Sequence, residues 1–157
     1  MKNFTNIFVS IFYIGYIRYA PGTWGSLVSL GIIFFLFNII KISLSILIIL
    51  FIILFFFSNY LINYFSSITN SHDSKHVVID EFLGVFFIFL FYDIIFIYNH
   101  FITCLLIFVC FRIFDIFKIF PANYIDKQLP SGYGVILDDI IAGIYTVLTM
   151  IIINVFI

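Results

Sequence analysis

The sequence predicts an all-α fold: a polytopic helical bundle in a membrane, with about four to five spans and an N-terminal amphipathic helix. Three observations predict it. Hydrophobic residues make up 64% and charged residues 10% of the chain, against roughly 25% charged in soluble domains. Mean hydropathy is +1.26. The apolar stretches approach the ~20 residues that a helix needs to cross about 30 Å of hydrocarbon at about 1.5 Å per residue. The net charge of −1 offers no general attraction to nucleic acid. The 157 residues suit a single membrane-embedded domain, 1–157, with the lipid bilayer as its partner.

Each element has its own signal. Phe4, Ile7, Phe8, Ile11 and Phe12 recur at helical spacing, with Asn3, Thr5, Asn6 and Ser10 among them, which predicts a helix lying in the interface. Lys2 ahead of an apolar run also outlines a secretory signal. No small-x-small cleavage site follows, however, and Arg18 leads directly into a turn, so the segment reads as mature protein. Ala20-Pro21-Gly22-Thr23-Trp24-Gly25-Ser26 stands before the next apolar helix. Its glycines and helix-start N–H groups at Gly22 and Thr23 could receive an anion; a helix cap with Trp24 as interfacial anchor is the other reading.

Spans follow over residues 24–40 and 42–62, divided by Asn38 and Lys41, as a helical hairpin. Residues 63–81 read as a long water-compatible loop holding His72, Asp73, Lys75, His76, Asp80 and Glu81. A third span covers residues 82–98 and a fourth runs from 101 toward 112, with Asn99 and His100 as the turn and Asp93 a structural group near it. Residues 118–134 are broken by Pro121, Pro130, Gly132 and Gly134, and a last span covers 135–157. Most of the 24 Phe are lipid-facing or packing residues. Cys104 and Cys110 fit neither a metal knuckle nor a redox pair and read as packing residues.

An amino terminus in the cytoplasm puts Lys2, Arg18, Lys75, Arg112, Lys118 and Lys127 inside and Lys41 alone outside, as the positive-inside rule favours. Every polar motif then lies on one face. About half of all the charge falls between Arg112 and Asp139, beside apolar helices where an unpaired charge costs about 2.5–3.5 kcal/mol.

Asp80-Glu81 precedes one membrane helix and Asp138-Asp139 is expected in the first turn of another, where the helix dipole favours acids. Two such pairs at one depth, together with Asp73 and Asp115, go beyond that need. Clustered carboxylates repel unless a cation lies among them, and hard oxygens of this kind suit Mg²⁺. Arg112, Asp115 and Lys118, at i, i+3 and i+6, share a broad helix face. Arg112 and Lys118 could contact a phosphate while Asp115 orients them or binds metal; an ion-paired helix end is the alternative. Ser131-Gly132-Tyr133-Gly134 could bring backbone to a headgroup or form a plain turn. His72 and His76 lack a third zinc ligand at conventional spacing.

Four blocks, in order, resemble the phosphatidylglycerophosphatase A family: Pro21-Gly22-Thr23-Trp24-Gly25-Ser26; His72-Asp73 with Val78-Ile79-Asp80-Glu81-Phe82-Leu83-Gly84; Phe111-Arg112-Ile113-Phe114-Asp115-Ile116-Phe117-Lys118; and Gly132-Tyr133-Gly134-Val135-Ile136-Leu137-Asp138-Asp139-Ile140-Ile141-Ala142-Gly143. The resemblance extends from about residue 10 to 145. One departure is Lys118-Ile119-Phe120-Pro121, where the family usually has Lys-Pro-Trp-Pro.

The resemblance implies Mg²⁺-dependent hydrolysis of phosphatidylglycerophosphate to phosphatidylglycerol and inorganic phosphate at the cytoplasmic face of a bacterial inner membrane. On this reading Asp80, Glu81, Asp138 and Asp139 hold Mg²⁺, with Asp73 or Asp115 as a further ligand or base. Arg112 and Lys118, with Gly22 and Thr23, receive the phosphate. The chain lacks the Asp-Gly-x-x-Ala-Arg core of CDP-alcohol phosphotransferases and the Ser-Gly-His block of acid-phosphatase-like lipid phosphatases. The competing class is a small ion- or proton-coupled transporter, which would place acids near the bilayer midplane; a purely structural membrane subunit would not need so many convergent charges. The sequence carries no signal for oligomeric state.

Overall fold

The computed structural model describes residues 2–69, 74–97, 99–129 and 131–156, without the side chains of Asp126 and Lys127. His72 and Asp73 therefore lie outside the described residues. Within them the regular elements are all helical, with no strand: α1 Lys2–Val9, α2 Pro21–Phe34, α3 Leu44–Thr69, α4 Ile79–Phe89, α5 Tyr92–Ile95, α6 His100–Phe117, α7 Ala122–Gln128 and α8 Gly132–Phe156. Among the described residues four helical stretches are long and apolar enough to cross a bilayer: Pro21–Ile39, Leu44–Thr69, His100–Phe117 and Gly132–Phe156. The expected polytopic bundle is what forms.

The amphipathic α1 lies along α3, with Thr5 and Val9 buried and the Phe8 ring edge-on to Phe57 at 5.0 Å. After it, Ile11, Phe12 and Tyr13 take positive φ of 46°, 52° and 68°, a conformation that costs a non-glycine residue about 1–2 kcal/mol. Ser10 holds this turn: the Tyr13 N–H donates to its Oγ at 3.0 Å and the Gly15 N–H to its carbonyl at 3.0 Å.

Helix α2 begins three residues before the expected span, so the Pro-Gly-Thr motif forms its first turn. Proline is suited to that position because the N–H it lacks would have no intrahelical partner. The helix then widens into a π turn over Phe35–Ile39. Helix α3 runs seven residues past its expected end at 62, into what reads as loop. Its polar residues stay helical because they bond within the helix: the Asn63 amide donates to Asn59 Oδ1 at 3.1 Å and the Thr69 hydroxyl to the Phe65 carbonyl at 2.9 Å.

The largest departure concerns residues 82–98, expected as one span. Residues 82–97 fold as most of α4, a break at Leu90 and Phe91, and the single turn of α5 with the two residues after it. Eight of the eleven residues of α4 are buried, and eleven residues reach only about 16 Å. Its apolar character comes from burial among α2, α3 and α8, since a protein core and a lipid core select the same side chains.

Helix α6 is capped by Asn99, whose side chain accepts the Phe101 N–H at 2.7 Å. Helix α8 buries a stripe including Val135, Asp138, Asp139, Ala142, Thr146 and Met150. It meets α4 closely at two glycines. A Cβ on Gly84 would stand 2.7 Å from Phe111 Cε2 and 2.8 Å from the Asp139 carbonyl oxygen, and one on Gly143 would stand 3.0 Å from the Gly84 carbonyl oxygen. Backbone contact here is what brings the acidic turns of α4 and α8 together.

Candidate active site

The starts of α2, α4 and α8 and the end of α6 converge at one end of the bundle around a cavity of about 390 Å³. Gly22, Thr23, Asp80, Glu81, Arg112, Asp115, Lys118, Asp138 and Asp139 all line it. Four blocks far apart in sequence thus share one space. Asp73 lies outside the described residues, while Ser74 and Lys75 after it are part of the wall.

Asp80, Glu81 and Asp139 form the inner group. Each can offer a carboxylate oxygen to a common point, these atoms lying within 4.8 Å of one another. Asp80 Oδ1 and Glu81 Oε2 are buried and have no hydrogen-bond partner, a costly state for acceptors unless a ligand completes them. Asp80 and Glu81 occupy the first turn of α4, outside the four long spans. Burial pushes the Asp80 carboxyl above its usual range, and burial together with the neighbouring Asp80 pushes Glu81 well above it. Converging hard oxygens, two of them orphaned, fit a divalent cation. The set could hold a metal ion.

Asp138 does not join this group. Successive residues of a helix point about 100° apart, so while Asp139 faces α4, Asp138 faces the end of α6. There its Oδ2 lies 2.5 Å from Lys118 Nζ. Lys118, half-buried just past the end of α6 with a positive φ of 43°, is thereby fixed on the cavity wall.

Arg112 is held on three sides. Its Nη1 lies 2.5 Å from Asp115 Oδ2 and 3.9 Å from Glu81 Oε1, and it donates to Ser26 Oγ at 3.2 Å. Ser26 in turn donates to the Gly22 carbonyl at 2.8 Å. The buried Nε is left without a partner. This geometry favours an orienting role for Asp115. Gly22 is needed where it stands, because a Cβ there would overlap Glu81 Oε1. The Thr23 N–H is turned to the Ala20 carbonyl at 3.0 Å and not into the cavity.

Sequence reasoning missed several supports. Ser26 carries no pattern that separates it from an ordinary helix serine; only its meeting with Arg112 gives it a role. Lys75 counts in the sequence only toward orientation, yet it reaches the cavity. Asn63 Oδ1 accepts the Gly132 N–H at 2.8 Å and so ties the start of α8 to α3. His76 is a strut: its Nδ1 bonds the Gly15 carbonyl at 3.0 Å and its ring stacks on Tyr16 at 4.3 Å.

A family model for phosphatidylglycerophosphatase A matches residues 7–154. A phosphatidylglycerophosphatase A of Haemophilus influenzae is 34% identical over 136 residues, covering 87% of this chain and 80% of that protein. A protein of the same name from Escherichia coli strain K12 is 28% identical over 124 residues, covering 79% and 68%. No solved structure is detectably similar to the chain. The match embraces all four blocks that meet at the cavity, and the chain belongs to the phosphatidylglycerophosphatase A family of phosphatases.

Proposed function

We propose that this chain hydrolyses phosphatidylglycerophosphate to phosphatidylglycerol and inorganic phosphate, with Mg²⁺ held by Asp80, Glu81 and Asp139, at the cytoplasmic face of a bacterial inner membrane. One observation carries the reading: buried, incompletely bonded carboxylates share one cavity with Arg112 and Lys118. Acids alone would repel a phosphate, and cations alone would bind it without a place for a metal. Bound Mg²⁺ supplies charge neutralisation among the carboxylates and polarises the phosphoryl group.

The remaining work falls to the chain. Arg112, braced by Asp115 and Ser26, presents guanidinium N–H groups to the phosphoryl oxygens, where charge grows in the transition state. Lys118, braced by Asp138, adds a second positive charge. Asp73 remains the candidate for a further ligand or base. Water adds to phosphorus, the ester P–O bond breaks, and the released glycerol oxygen takes up a proton. In the alternative course a carboxylate attacks first. Acid quench of a single turnover with substrate radiolabelled in its terminal phosphate separates them: label trapped on the protein requires a phospho-aspartyl step, and phosphate released with no label on the protein at any time supports direct attack.

An ion-transport function fits less well. Among the described residues the buried carboxylates gather within about two turns of the starts of α4 and α8, not at mid-span. The deciding assay is phosphate release by the purified chain in mild detergent, with Mg²⁺, with EDTA, and with phosphatidic acid as competing substrate. Release that needs Mg²⁺ and prefers phosphatidylglycerophosphate supports the proposal. Absence of release from folded protein overturns it, and ion flux in liposomes becomes the next measurement.

A further inference from the structure

A second cavity lies on the other side of α4. It has a volume of about 490 Å³, and every side chain lining it is Phe, Ile or Leu. Ile7 and Phe8 of α1, Ile32 of α2, Leu54 of α3, and Ile79 and Phe82 of α4 form its walls. This volume falls in the ~300–1,000 Å³ range of small-molecule sites, but no polar side chain lines it to hold a polar ligand.

Its position relative to the acidic cavity gives it meaning. Ile79, Asp80, Glu81 and Phe82 are consecutive, and the two inner residues line the acidic cavity while the two outer ones line the apolar groove. One turn of α4 is therefore the partition between the two. The groove also has depth. Ile32 lies eleven residues past Pro21, about 16 Å along α2, and Leu54 lies fifteen before Thr69, about 22 Å along α3. From the partition the groove thus runs along the spans, the direction taken by a chain in a bilayer leaflet.

We propose that this groove seats one acyl chain of the lipid substrate while the headgroup occupies the acidic cavity. The inference rests on the reading above that the substrate is a phosphomonoester of a diacyl lipid. Such a molecule is polar at one end and apolar along the rest, as are the two cavities joined at α4. Each methylene placed in the groove leaves less apolar surface exposed in the headgroup layer as the phosphate is drawn toward the carboxylates. Chain length then governs kcat/KM, and a short-chain analogue with the same headgroup forfeits the groove contacts.

The test compares phosphate release from long-chain and dibutyryl phosphatidylglycerophosphate by the full chain in mixed micelles, for the wild type and for Ile32→Trp, Ile7→Trp and the control Ile49→Trp. Ile49 faces outward on α3 and does not line the groove. The expected result is a long-to-short ratio of kcat/KM that falls about tenfold or more in the two groove variants and holds in the control. An unchanged ratio, with both substrates hydrolysed, overturns the acyl-chain seat and leaves the phosphatase reading intact. Hydrolysis of neither substrate by the wild type rejects that reading itself, and the inference with it. A long-chain substrate carrying a diazirine in one acyl chain asks the same question of the unsubstituted protein. Adducts at Ile32 or Leu54 support the seat; adducts confined to outward positions such as Ile49 and Ile53, the pattern of bulk lipid, overturn it.

Discussion

The two ends of the bundle treat buried polar groups in opposite ways. At the end away from the acidic cavity, the Tyr92 hydroxyl meets His100 Nδ1 at 2.9 Å. Thr103 Oγ1 accepts the Ile97 N–H at 3.0 Å and donates at 2.9 Å to the Ile97 carbonyl. Around them pack Phe37, Phe89 and Phe96. At the acidic end, buried atoms of Asp80, Glu81 and Arg112 have no partner. A closed network rigidifies a fold, and an open one is costly unless a ligand completes it. The contrast distinguishes polar groups that serve the fold from an open group whose carboxylates could hold a metal ion.

Substitutions at each end can break or sharpen that contrast. The largest effect is expected from Asp139→Asn and Asp80→Asn, which keep shape and remove charge from the inner group. Turnover should fall by about 10²–10³-fold or more while helical content in detergent is kept. Near-normal phosphate release in both would show that the open network is not the reacting centre. Next comes Gly84→Ala. The added Cβ would press on Phe111 and on the Asp139 backbone, so overpacking should cost about 1–3 kcal/mol of stability and turnover should drop with it. Unchanged thermal unfolding and kcat would mean that α4 and α8 can part without disturbing the carboxylates.

Ser26→Ala should act more gently. It removes one brace from Arg112, worth about 1 kcal/mol, and a few-fold loss in kcat/KM with little change in unfolding is the expected outcome. The smallest effect on activity belongs to the far end. Tyr92→Phe should cost about 1 kcal/mol of stability and leave turnover near the wild-type value. If Tyr92→Phe impaired turnover more than Ser26→Ala, the separation of roles between the two ends would fail.

Much of the site was legible in the chain because chemistry that lipid does not tolerate stands out against apolar surroundings. Asp80, Glu81, Arg112, Asp115, Lys118, Asp138 and Asp139 are conspicuous in a chain with so few charges, and alternation of spans carries them to one end. Their division of labour was not legible. Asp138 and Asp139 look alike as neighbours, yet the helical rotation between them gives one to Lys118 and the other to Asp80 and Glu81. Ser26 and Asn63 are unremarkable until Arg112 and Gly132 arrive beside them from distant helices.

By itself the sequence determined that the chain is helical and polytopic, and which blocks carry charge, because hydropathy and periodicity are local properties of a segment. Tertiary structure decided which apolar segments face lipid and which face protein. Residues 82–98 are as apolar as a span, but α4 is short, buried and central. It also decided the approach of α4 to α8 at Gly84 and Gly143, and with it which carboxylates meet. Those outcomes depend on surfaces supplied by other helices, and an apolar residue satisfies lipid and protein core alike.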